Sequence, residues 1–468
     1  MVRALTVTRT LGLMLVVFSV AYVMPLIAAV IYSDYSVLLD FLLAMVWTMA
    51  IGLLMWLPTR RYKGELSIRH GYLLVVAMWV AMPAVATLPL LLTIEGLSFT
   101  DAYFETMSGL TTTGSTVLVG LDYLPPAINI WRHELNWLGG MGIIVLAVAI
   151  LPLLGIGGRQ LFKAETPGPM KDTALTPRIT ETARNLWLVY LGITIACILS
   201  LKMVGMNWLD AVCHAFAAMS LGGFSTHDAS VGYFNSPAIE LVLMVFMLLA
   251  AMNFSTHFLV WREKSLKLYL RDTEAIATVA LILASCLGIA VFLWWQGTYP
   301  SFWTALRHAS FNLISIATDC GFTSVDFGKW PIFAPMWMLF LSCVAVSSGS
   351  TGGGIKMVRT MILFKQAGRE FIKLLHPAAI NPMKIGGSVV PNNIVFAVLG
   401  FIFLYFMTVA TLTFALLISG LDFISAFSAI IASINNAGPG LGVVGPANNY
   451  GALTDFQTWV CTIAMLVG

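Results

Sequence analysis

Apolar runs of about 20 residues recur along this chain of 468 residues, and a helix of that length crosses the ~30 Å hydrocarbon core of a membrane. The runs lie at 9–31, 36–57, 71–93, 137–156, 186–204, 238–260, 274–295, 333–347, 392–419 and 456–468. Hydrophobic residues make up 59% of the chain and charged residues 10%, which excludes both an ordinary globular protein and a disordered one. The sequence therefore predicts an all-α polytopic membrane protein with about ten transmembrane helices.

Lysine and arginine are concentrated in the N-terminal segment and in four connections between apolar runs. Of the 25 basic residues, only Arg132, Lys202, Arg307 and Lys329 lie elsewhere. By the positive-inside rule, the N-terminus and these four connections face the cytoplasm. An even number of crossings must separate successive basic connections, yet most intervals contain an extra apolar stretch that is too short to span. Such a stretch has to enter and leave on the outer side as a re-entrant loop, which is tolerated only where it is buried in protein or lines a water-filled path.

The short stretches form a fourfold internal repeat, at 102–116, 211–225, 309–323 and 426–440. In each of them an alanine lies 12 positions before a glycine, which we call the reference glycine: Gly114, Gly223, Gly321 and Gly438. The ten or so residues after each alanine are typical of a short half-helix. The repeat therefore predicts an N-terminal helix pair at 1–60, followed by four units of helix, half-helix, loop and helix at 61–165, 166–265, 266–375 and 376–468.

Four glycine-containing loops around one axis suit the passage of a monovalent cation. A dehydrated cation needs oxygens in place of its hydration shell, and rings of backbone carbonyls supply them without a fixed charge. Successive carbonyls can point to one axis only where some residues adopt dihedral angles that a side chain resists, and glycine adopts them readily. The half-helices would also direct the negative ends of their dipoles toward the cation. The four loops differ in sequence, so the predicted pore is pseudo-fourfold.

A second glycine-rich segment interrupts the apolar run that begins at Phe333. Residues 347–354 read SSGSTGGG, and so many glycines cannot maintain a stable helix. We predict a flexible intramembrane loop that serves as a gate below the filter, with Lys356 and Arg359 repelling cations near the path. The alternative is a static helix break at a tight packing point. A phosphate-binding loop is excluded because Ile355 separates Gly354 from Lys356, so the GK[ST] ending is missing.

Polar residues within the repeat have two interpretations, functional or structural. Glu105, His214 and Asn312 share the position nine before the reference glycine, and a structural role holding the half-helix in place is favoured. Asp319, two positions before Gly321, either lies at the mouth or wall of the filter or caps backbone amides.

Two further groups are placed by their position along the helices. We expect His133, Glu134 and Asn136 at the outer surface. The tryptophans near helix ends are predicted to be interfacial anchors: Trp131, Trp137, Trp294, Trp295 and Trp303.

Six motifs together resemble the membrane, TrkH-like subunit of the Trk/Ktr/HKT superfamily of potassium transporters. They are TTTGST, LGGFSTHD, CGFTSVDF, NNAGPGLG, WLGGMGIIVLAVAILPLLG and SGSTGGGIK. The resemblance covers essentially the whole chain. It implies K+ uptake across the bacterial inner membrane by a homodimer with one pore per protomer, regulated by cytosolic nucleotide-binding subunits of the TrkA type that dock on the basic connections. It implies no cofactor in this chain, with K+ as the transported ion.

The resemblance maps the filter glycines of the family onto Gly114, Gly223, Gly321 and Gly438, and its gating loop onto residues 349–354. The other residues of the predicted filter and gate are the neighbours of these in the sequence. The predicted filter comprises Thr112, Thr113, Gly114, Leu221, Gly222, Gly223, Asp319, Cys320, Gly321, Asn436, Ala437 and Gly438. The backbone carbonyls predicted to bind K+ are those of Thr112, Thr113, Leu221, Gly222, Asp319, Cys320, Asn436 and Ala437. The predicted gate comprises Gly349, Ser350, Thr351, Gly352, Gly353, Gly354, Lys356 and Arg359.

Three functional hypotheses follow. The first is a gated, channel-like conductance selective for K+ and Rb+ over Na+. The second is a symporter that couples K+ to H+ or Na+ through a buried group such as Asp319, Glu105 or His214. The third is an intramembrane enzyme using His214, His227 or His308, which lacks a partner nucleophile or a metal-ligand spacing such as HExxH.

Overall fold

The computed structural model describes residues 2–62, 68–142, 179–378, 381–386 and 388–468. In these ranges the α-helices are Val2–Phe18, Val23–Ile31, Tyr35–Thr59, Ile68–Thr93, Phe99–Leu110, Pro126–Gly140, Ile179–Met203, Trp208–Ser220, Pro237–Ala250, Phe254–Glu263, Thr273–Trp295, Phe302–Ala317, Phe333–Val344, Met357–Leu375, Asn392–Ile418, Phe423–Asn435 and Asp455–Val467. Two short antiparallel strands, Lys384–Ile385 and Ser388–Val389, pair with Lys384 opposite Val389. The predicted all-α architecture is confirmed.

The N-terminal helix pair packs closely through glycine. A Cβ atom on Gly12 would lie 2.7 Å from the carbonyl oxygen of Gly52, and a Cβ on Gly52 would lie 2.7 Å from that of Gly12. Small residues permit this approach between apolar helices, where close van der Waals packing is the main source of association. The run predicted at 9–31 contains a short 3-10 segment, Ser19–Tyr22, between its two α-helical parts.

Six helices in the described ranges are long and apolar enough to cross a membrane. They are Ala4–Ile31, Tyr35–Thr59, Arg69–Thr93, Ala183–Met203, Thr273–Trp295 and Asn392–Ile418. The protein is therefore an integral membrane protein, and each of the last four of these helices precedes one half-helix. The predicted span at 137–156 and the basic residues at 159–178 lie largely outside the described residues, as does the proposed repeat boundary at 165.

The apolar segment predicted at 238–260 is bent and not one continuous helix. The structure has two helices there, Pro237–Ala250 and Phe254–Glu263, which meet at an angle of 95°. The side chain of Asn253 starts the second helix by accepting a hydrogen bond from the Ser255 amide at 2.8 Å. The Phe254 amide donates to the carbonyl of Gly349 at 3.0 Å, so a contact with a distant loop stabilises the bend.

The helix break predicted after Phe333 is confirmed. Phe333–Val344 ends before the glycine-rich segment, and Met357–Leu375 begins after it.

The anchoring role predicted for Trp131 is wrong, because its side chain is fully buried and stacks on Tyr22 with ring centroids 4.4 Å apart. Trp295 and Trp303, by contrast, are exposed, as expected for residues at a membrane interface.

Candidate cation pathway

The four half-helices are Phe99–Leu110, Trp208–Ser220, Phe302–Ala317 and Phe423–Asn435. In every case the side chain of the N-cap residue accepts a hydrogen bond from a backbone amide of the helix. The four N-cap residues are Ser98, Asn207, Ser301 and Asp422. These caps satisfy amides at the helix starts. Alanine and apolar residues dominate each stretch and favour a helix. Each helix ends where the glycine-containing loop begins, because glycine disfavours its continuation.

All four half-helices end in the same backbone arrangement. The residue two positions before the reference glycine has a positive φ: Thr112 at 57°, Leu221 at 55°, Asp319 at 65° and Asn436 at 56°. The next residue donates its amide to a carbonyl five residues earlier at 2.8 Å in each loop: Thr113 to Ser108, Gly222 to Ala217, Cys320 to Ser315 and Ala437 to Ala432. This is the Schellman helix end, which turns the chain out of the helix through a left-handed residue.

The reference glycines join the four loops into a closed ring. A Cβ atom on Gly114 would collide with the carbonyl oxygen of Gly222, and a Cβ on Gly223 with that of Cys320. A Cβ on Gly321 would lie 2.7 Å from the carbonyl oxygen of Ala437, and a Cβ on Gly438 would lie 3.1 Å from that of Thr113. Each glycine thus faces the next loop, and the fourth returns to the first. Only glycine fits, because the reference glycines also have φ between 64° and 89°.

Four of the predicted carbonyl ligands, those of Thr113, Gly222, Cys320 and Ala437, lie beside the reference glycines of the ring. None of the eight carbonyl oxygens at Thr112, Thr113, Leu221, Gly222, Asp319, Cys320, Asn436 and Ala437 accepts a hydrogen bond from a residue in the described ranges. Buried carbonyls are normally paired, so a group of unpaired ones marks a place where another partner binds. Two side-chain hydroxyls of the first loop brace it against the fourth: Thr113 donates to the Asn436 side chain at 2.7 Å and Ser115 to the Gly438 carbonyl at 2.8 Å.

The residues nine before the reference glycine hold each loop to its half-helix. Glu105 accepts hydrogen bonds from the Thr116 hydroxyl and the Val117 amide, at 2.9 and 3.0 Å. His214 contacts the Ser225 hydroxyl at 3.0 Å, and Asn312 accepts from the Ser324 amide at 3.1 Å. In the fourth repeat Ser428, one position earlier, accepts from the Leu441 amide at 2.8 Å. Glu105, His214 and Asn312 therefore have a structural role, because each side chain joins its half-helix to the loop that follows.

Behind the first two loops lies a buried ion pair that the sequence reasoning missed. Arg132 Nε donates to Glu105 Oε1 at 2.7 Å, and both side chains are 1% exposed. The guanidinium also donates to the Ser225 carbonyl at 3.2 Å and lies 4.3 Å from the ring centre of Phe224. Arg132 therefore connects loops one and two, and this charged pair supports the ring of loops from outside.

The outer-surface position expected for His133, Glu134 and Asn136 is wrong. All three side chains are buried in the helix Pro126–Gly140. A Cβ on Gly222 would collide with the Asn136 amide group, which places Asn136 directly behind the second loop. The helix is buried on nearly all sides because the N-terminal pair covers the face that a simple span would expose to lipid.

The two sides of the ring differ. On one side a vestibule is lined by Gly114, Gly223 and Gly321 together with Arg132, His227 and Tyr450. On the other side lie residues 349–354. A Cβ on Gly352 would lie 3.1 Å from the Thr318 carbonyl oxygen, and a Cβ on Gly353 would collide with the Asn435 carbonyl. Thr351 donates its hydroxyl to the Met219 carbonyl at 3.1 Å. The loop therefore packs against the ends of half-helices two, three and four.

Glu274 anchors both ends of this loop, and sequence reasoning did not identify it. Its carboxylate accepts hydrogen bonds from the backbone amides of Ser348 at 2.7 Å and Val358 at 3.0 Å. A carboxylate in the first turn of a helix, next to a basic connection, is common, so the sequence around Glu274 gives no sign of this role.

The predicted gate residues Lys356 and Arg359 lie in different surroundings. Lys356 is buried beside the loop, whereas the Arg359 guanidinium lies 4.0 Å from the ring centre of Phe401.

The vestibule contains a cross-link between the outer segments of the first two repeats. His227 Nδ1 contacts Asp122 and its Nε2 lies 3.3 Å from Asp210 Oδ2. The Asp228 amide also donates to Asp122 at 3.2 Å. Burial alone disfavours the imidazolium, but the carboxylates of Asp210 and Asp122 outweigh it and raise the pKa of His227 above its usual value of 6.5.

Comparisons with known proteins identify relatives of this chain. The TrkH family, described as cation transport proteins, matches residues 38–468. The Trk system potassium uptake protein TrkH of Salmonella typhimurium is 44% identical over 463 residues, 99% of this chain and 95% of that protein. The Trk system potassium uptake protein TrkG of Escherichia coli strain K12 is 38% identical over 99% of this chain and 95% of that one. The crystal structure of the potassium transporter TrkH from Vibrio parahaemolyticus superposes with a TM-score of 0.89 at 42% identity, covering 99% of this chain and 96% of that chain.

Proposed function

The chain belongs to the TrkH family of cation transport proteins, and from this premise we propose that it takes up K+ across a membrane through a gated pore formed by the ring of four loops. The closed glycine ring with eight unpaired carbonyls is the observation that carries the proposal. The potassium uptake named for its relatives supports the choice of ion. Those relatives are transport proteins, so the enzyme hypothesis is set aside.

In the proposed filter, the two carbonyls before each reference glycine replace the hydration shell of K+. The carbonyls of the ring bind the ion through their dipoles, and the half-helix ends add their negative poles. We propose selection of K+ and Rb+ over Na+. The rigid spacing supports this, because the Schellman ends and the inter-loop bonds such as Thr113 to Asn436 hold the carbonyls apart.

Residues 349–354 form the proposed gate. The loop packs against the ends of three half-helices, so an ion leaving the ring on that side meets backbone and not water. Glycine-rich backbone can move at low steric cost, and Glu274 holds both ends. Displacement of the loop would open the path.

The setting of the pore is proposed from the resemblance and the basic connections. We place the chain in the bacterial inner membrane with a cytoplasmic N-terminus, as a homodimer with one pore per protomer. The names of the relatives refer to a Trk system, which supports additional components. Cytosolic nucleotide-binding subunits of the TrkA type would bind the basic connections and move the gate.

A second mechanism is coupling of K+ to H+ or Na+ through Asp319. The observation that favours it is a fully buried carboxylate whose two oxygens have no hydrogen-bond partner in the described ranges. Such a group is a common element of proton-coupled transport.

Cation flux into sealed vesicles tests the proposal. The full-length protein is reconstituted, and uptake of K+, Rb+, Na+ and Li+ is compared with and without an imposed pH gradient. Passive flux that favours K+ and Rb+ and ignores the pH gradient supports the gated pore. Uphill K+ accumulation driven by the gradient supports coupling, and equal flux of all four ions contradicts the proposed filter. A deletion of residues 349–354 serves as a constitutively open reference.

A further inference from the structure

Resting on this proposed function, we propose that Ser115 and Tyr450 set the ion affinity of the pore at the vestibule side of the ring. Their hydroxyls bind the carbonyl of Gly438 and withhold it from the permeating ion. The outermost ion position then has three reference-glycine carbonyls as ligands, and not four. Ser115 and Tyr450 are specificity-determining residues that act through the Gly438 carbonyl and do not themselves bind the ion.

The carbonyl oxygens of the four reference glycines have different partners. Those of Gly114, Gly223 and Gly321 accept no hydrogen bond from a residue in the described ranges. The carbonyl of Gly438 accepts two, from the Ser115 hydroxyl at 2.8 Å and from the Tyr450 hydroxyl at 3.1 Å. A backbone carbonyl oxygen has two lone pairs, so these two donors use its full capacity as an acceptor.

The wall of the vestibule shows the same asymmetry. Among the described residues, this wall contains Gly114, Gly223 and Gly321 but not Gly438. It also contains Ser115 and Tyr450, the two donors to the Gly438 carbonyl. Both donors are 2% exposed, so little water competes for their hydroxyls. The fourth glycine is therefore covered by its two donors, whereas the other three reach the cavity.

The sequence after the reference glycine accounts for one of the two donors. The next residue is Ser115 in the first loop, and it is Phe224, Phe322 and Pro439 in the other three. Of these four side chains, serine alone can donate a hydrogen bond. The hydroxyl at this position therefore occurs once in the ring, and it acts on the adjacent fourth loop.

Tyr450 is held in place by contacts that do not involve its hydroxyl. Its backbone amide donates to the carbonyl of Thr116 in the first repeat at 2.9 Å. Its ring lies 5.3 Å from that of Phe104, centre to centre. Tyr450→Phe therefore keeps the connection between the first and fourth repeats and removes only the bond to the Gly438 carbonyl.

The number of available carbonyls decides how tightly the outermost position holds an ion. Conduction requires binding that is favourable enough for entry and weak enough for departure. With the Gly438 carbonyl engaged, the ion retains part of its hydration on the side of the fourth loop. Release of that carbonyl supplies one more ligand, which strengthens binding and slows departure.

The test is uptake of 86Rb+ into proteoliposomes by the full-length protein, measured over a range of external Rb+ concentrations. In the double variant Ser115→Ala with Tyr450→Phe, we expect the KM for Rb+ to fall about fivefold and the maximal rate about threefold. Each single variant leaves one donor on the Gly438 carbonyl, and its KM is expected to fall about twofold. A gain of affinity is a result that a purely structural role of the two hydroxyls would not give.

The N-terminal helix pair offers a matched control, Ser19→Ala with Tyr22→Phe. Ser19 donates its hydroxyl to the Val16 carbonyl at 2.7 Å, and Tyr22 donates to the Val85 carbonyl at 2.9 Å. The control thus removes the same two kinds of buried bond at a site away from the ring. Its KM for Rb+ is expected to equal that of the wild type.

Three results overturn the proposal. A raised KM in the double variant would show that the two hydroxyl oxygens are themselves ion ligands. An unchanged KM would show that the Gly438 carbonyl does not reach the ion. Loss of K+ over Na+ preference with a lower melting temperature, and without a gain of affinity, would show that the hydroxyls only brace the ring. Size-exclusion profiles identify variants that fail to fold, and the single variants then decide.

The deletion of 349–354 separates failure of this proposal from failure of the proposed function. If the deletion variant conducts Rb+ and the double variant has the KM of the wild type, the pore stands and the role assigned to Ser115 and Tyr450 is wrong. If no variant, the deletion included, conducts Rb+, both the pore and that role are overturned.

Discussion

Glu274 accepts a hydrogen bond from the backbone amide of Ser348 at 2.7 Å, across 74 residues of sequence. The same carboxylate accepts from the Val358 amide at 3.0 Å, so one side chain holds both ends of the proposed gate, residues 349–354. Bonds from backbone amides to a carboxylate are stronger than those between neutral groups. The position of this glycine-rich segment thus depends on a residue at the start of the helix Thr273–Trp295.

Glu274→Gln weakens this anchor by removing the charge while keeping the shape. We expect basal Rb+ uptake to rise about fivefold, because a neutral acceptor loses roughly 1 kcal/mol across the two bonds. Uptake into proteoliposomes measures the change. Asp272→Asn in the same helix start is the matched control, since asparagine still caps the Glu274 and Ala275 amides. Unchanged uptake in Glu274→Gln would contradict an anchoring role.

Gly223→Ala tests the ring. An added Cβ would collide with the Cys320 carbonyl and would also be strained at a φ of 64°. We expect the preference for K+ over Na+ to fall at least tenfold, because the ring has to widen by more than a few tenths of an ångström. Reversal potentials or competitive flux measure it.

Gly205→Ala is the control for that substitution. Gly205 has a φ of 105° but no heavy atom within 4 Å of an added Cβ, so it carries the backbone strain alone. We expect selectivity of the wild type with a melting temperature slightly reduced. Equal loss of selectivity in both variants would show that backbone strain, and not the ring contact, is responsible.

Arg132→Met leaves Glu105 buried without its partner. We expect the free energy of unfolding to fall by about 3–5 kcal/mol, measured as thermal stability in detergent. The double variant Glu105→Gln with Arg132→Met should recover most of this loss. Lys329→Met removes an exposed ion pair and should change stability by less than about 1 kcal/mol. A loss of similar size in both single variants would mean that the buried pair has no special role.

The cross-link of His227 to Asp122 and Asp210 predicts a pH dependence of stability. Because folding raises the pKa of His227, the imidazolium stabilises the folded state fully below about pH 6.5, and this contribution is lost as the pH rises through the raised value. Burial alone would raise the pKa of Asp122, but its hydrogen bonds with His227 and the Asp228 amide outweigh burial and lower that pKa, so this carboxylate stays charged throughout the window. We expect the melting temperature of His227→Gln to differ most from the wild type near about pH 6 and to converge with it at alkaline pH. The exposed His376→Gln should show no such trend.

The membrane class, the fourfold repeat, the half-helices and the glycine-rich break could all be predicted because each is a local property. The bilayer constrains the length of each span and the side on which basic residues lie. The spacing of Ala102 from Gly114 can be read directly from the sequence. The bend at Asn253 and the burial of Trp131, His133 and Glu134 could not be predicted. Hydropathy reports how apolar a segment is, not whether lipid or protein surrounds it.

Tertiary structure alone decides which loops meet and what holds them. Gly223 faces Cys320, Thr113 bonds to Asn436, and Glu274 reaches both ends of the gate loop, although these partners lie tens to hundreds of residues apart. The repeat identifies four equivalent glycines, but only closure of the chain into a ring brings each one against the next carbonyl. Contacts of this kind depend on how helices pack, and packing is set jointly by residues that have no periodic relationship along the chain.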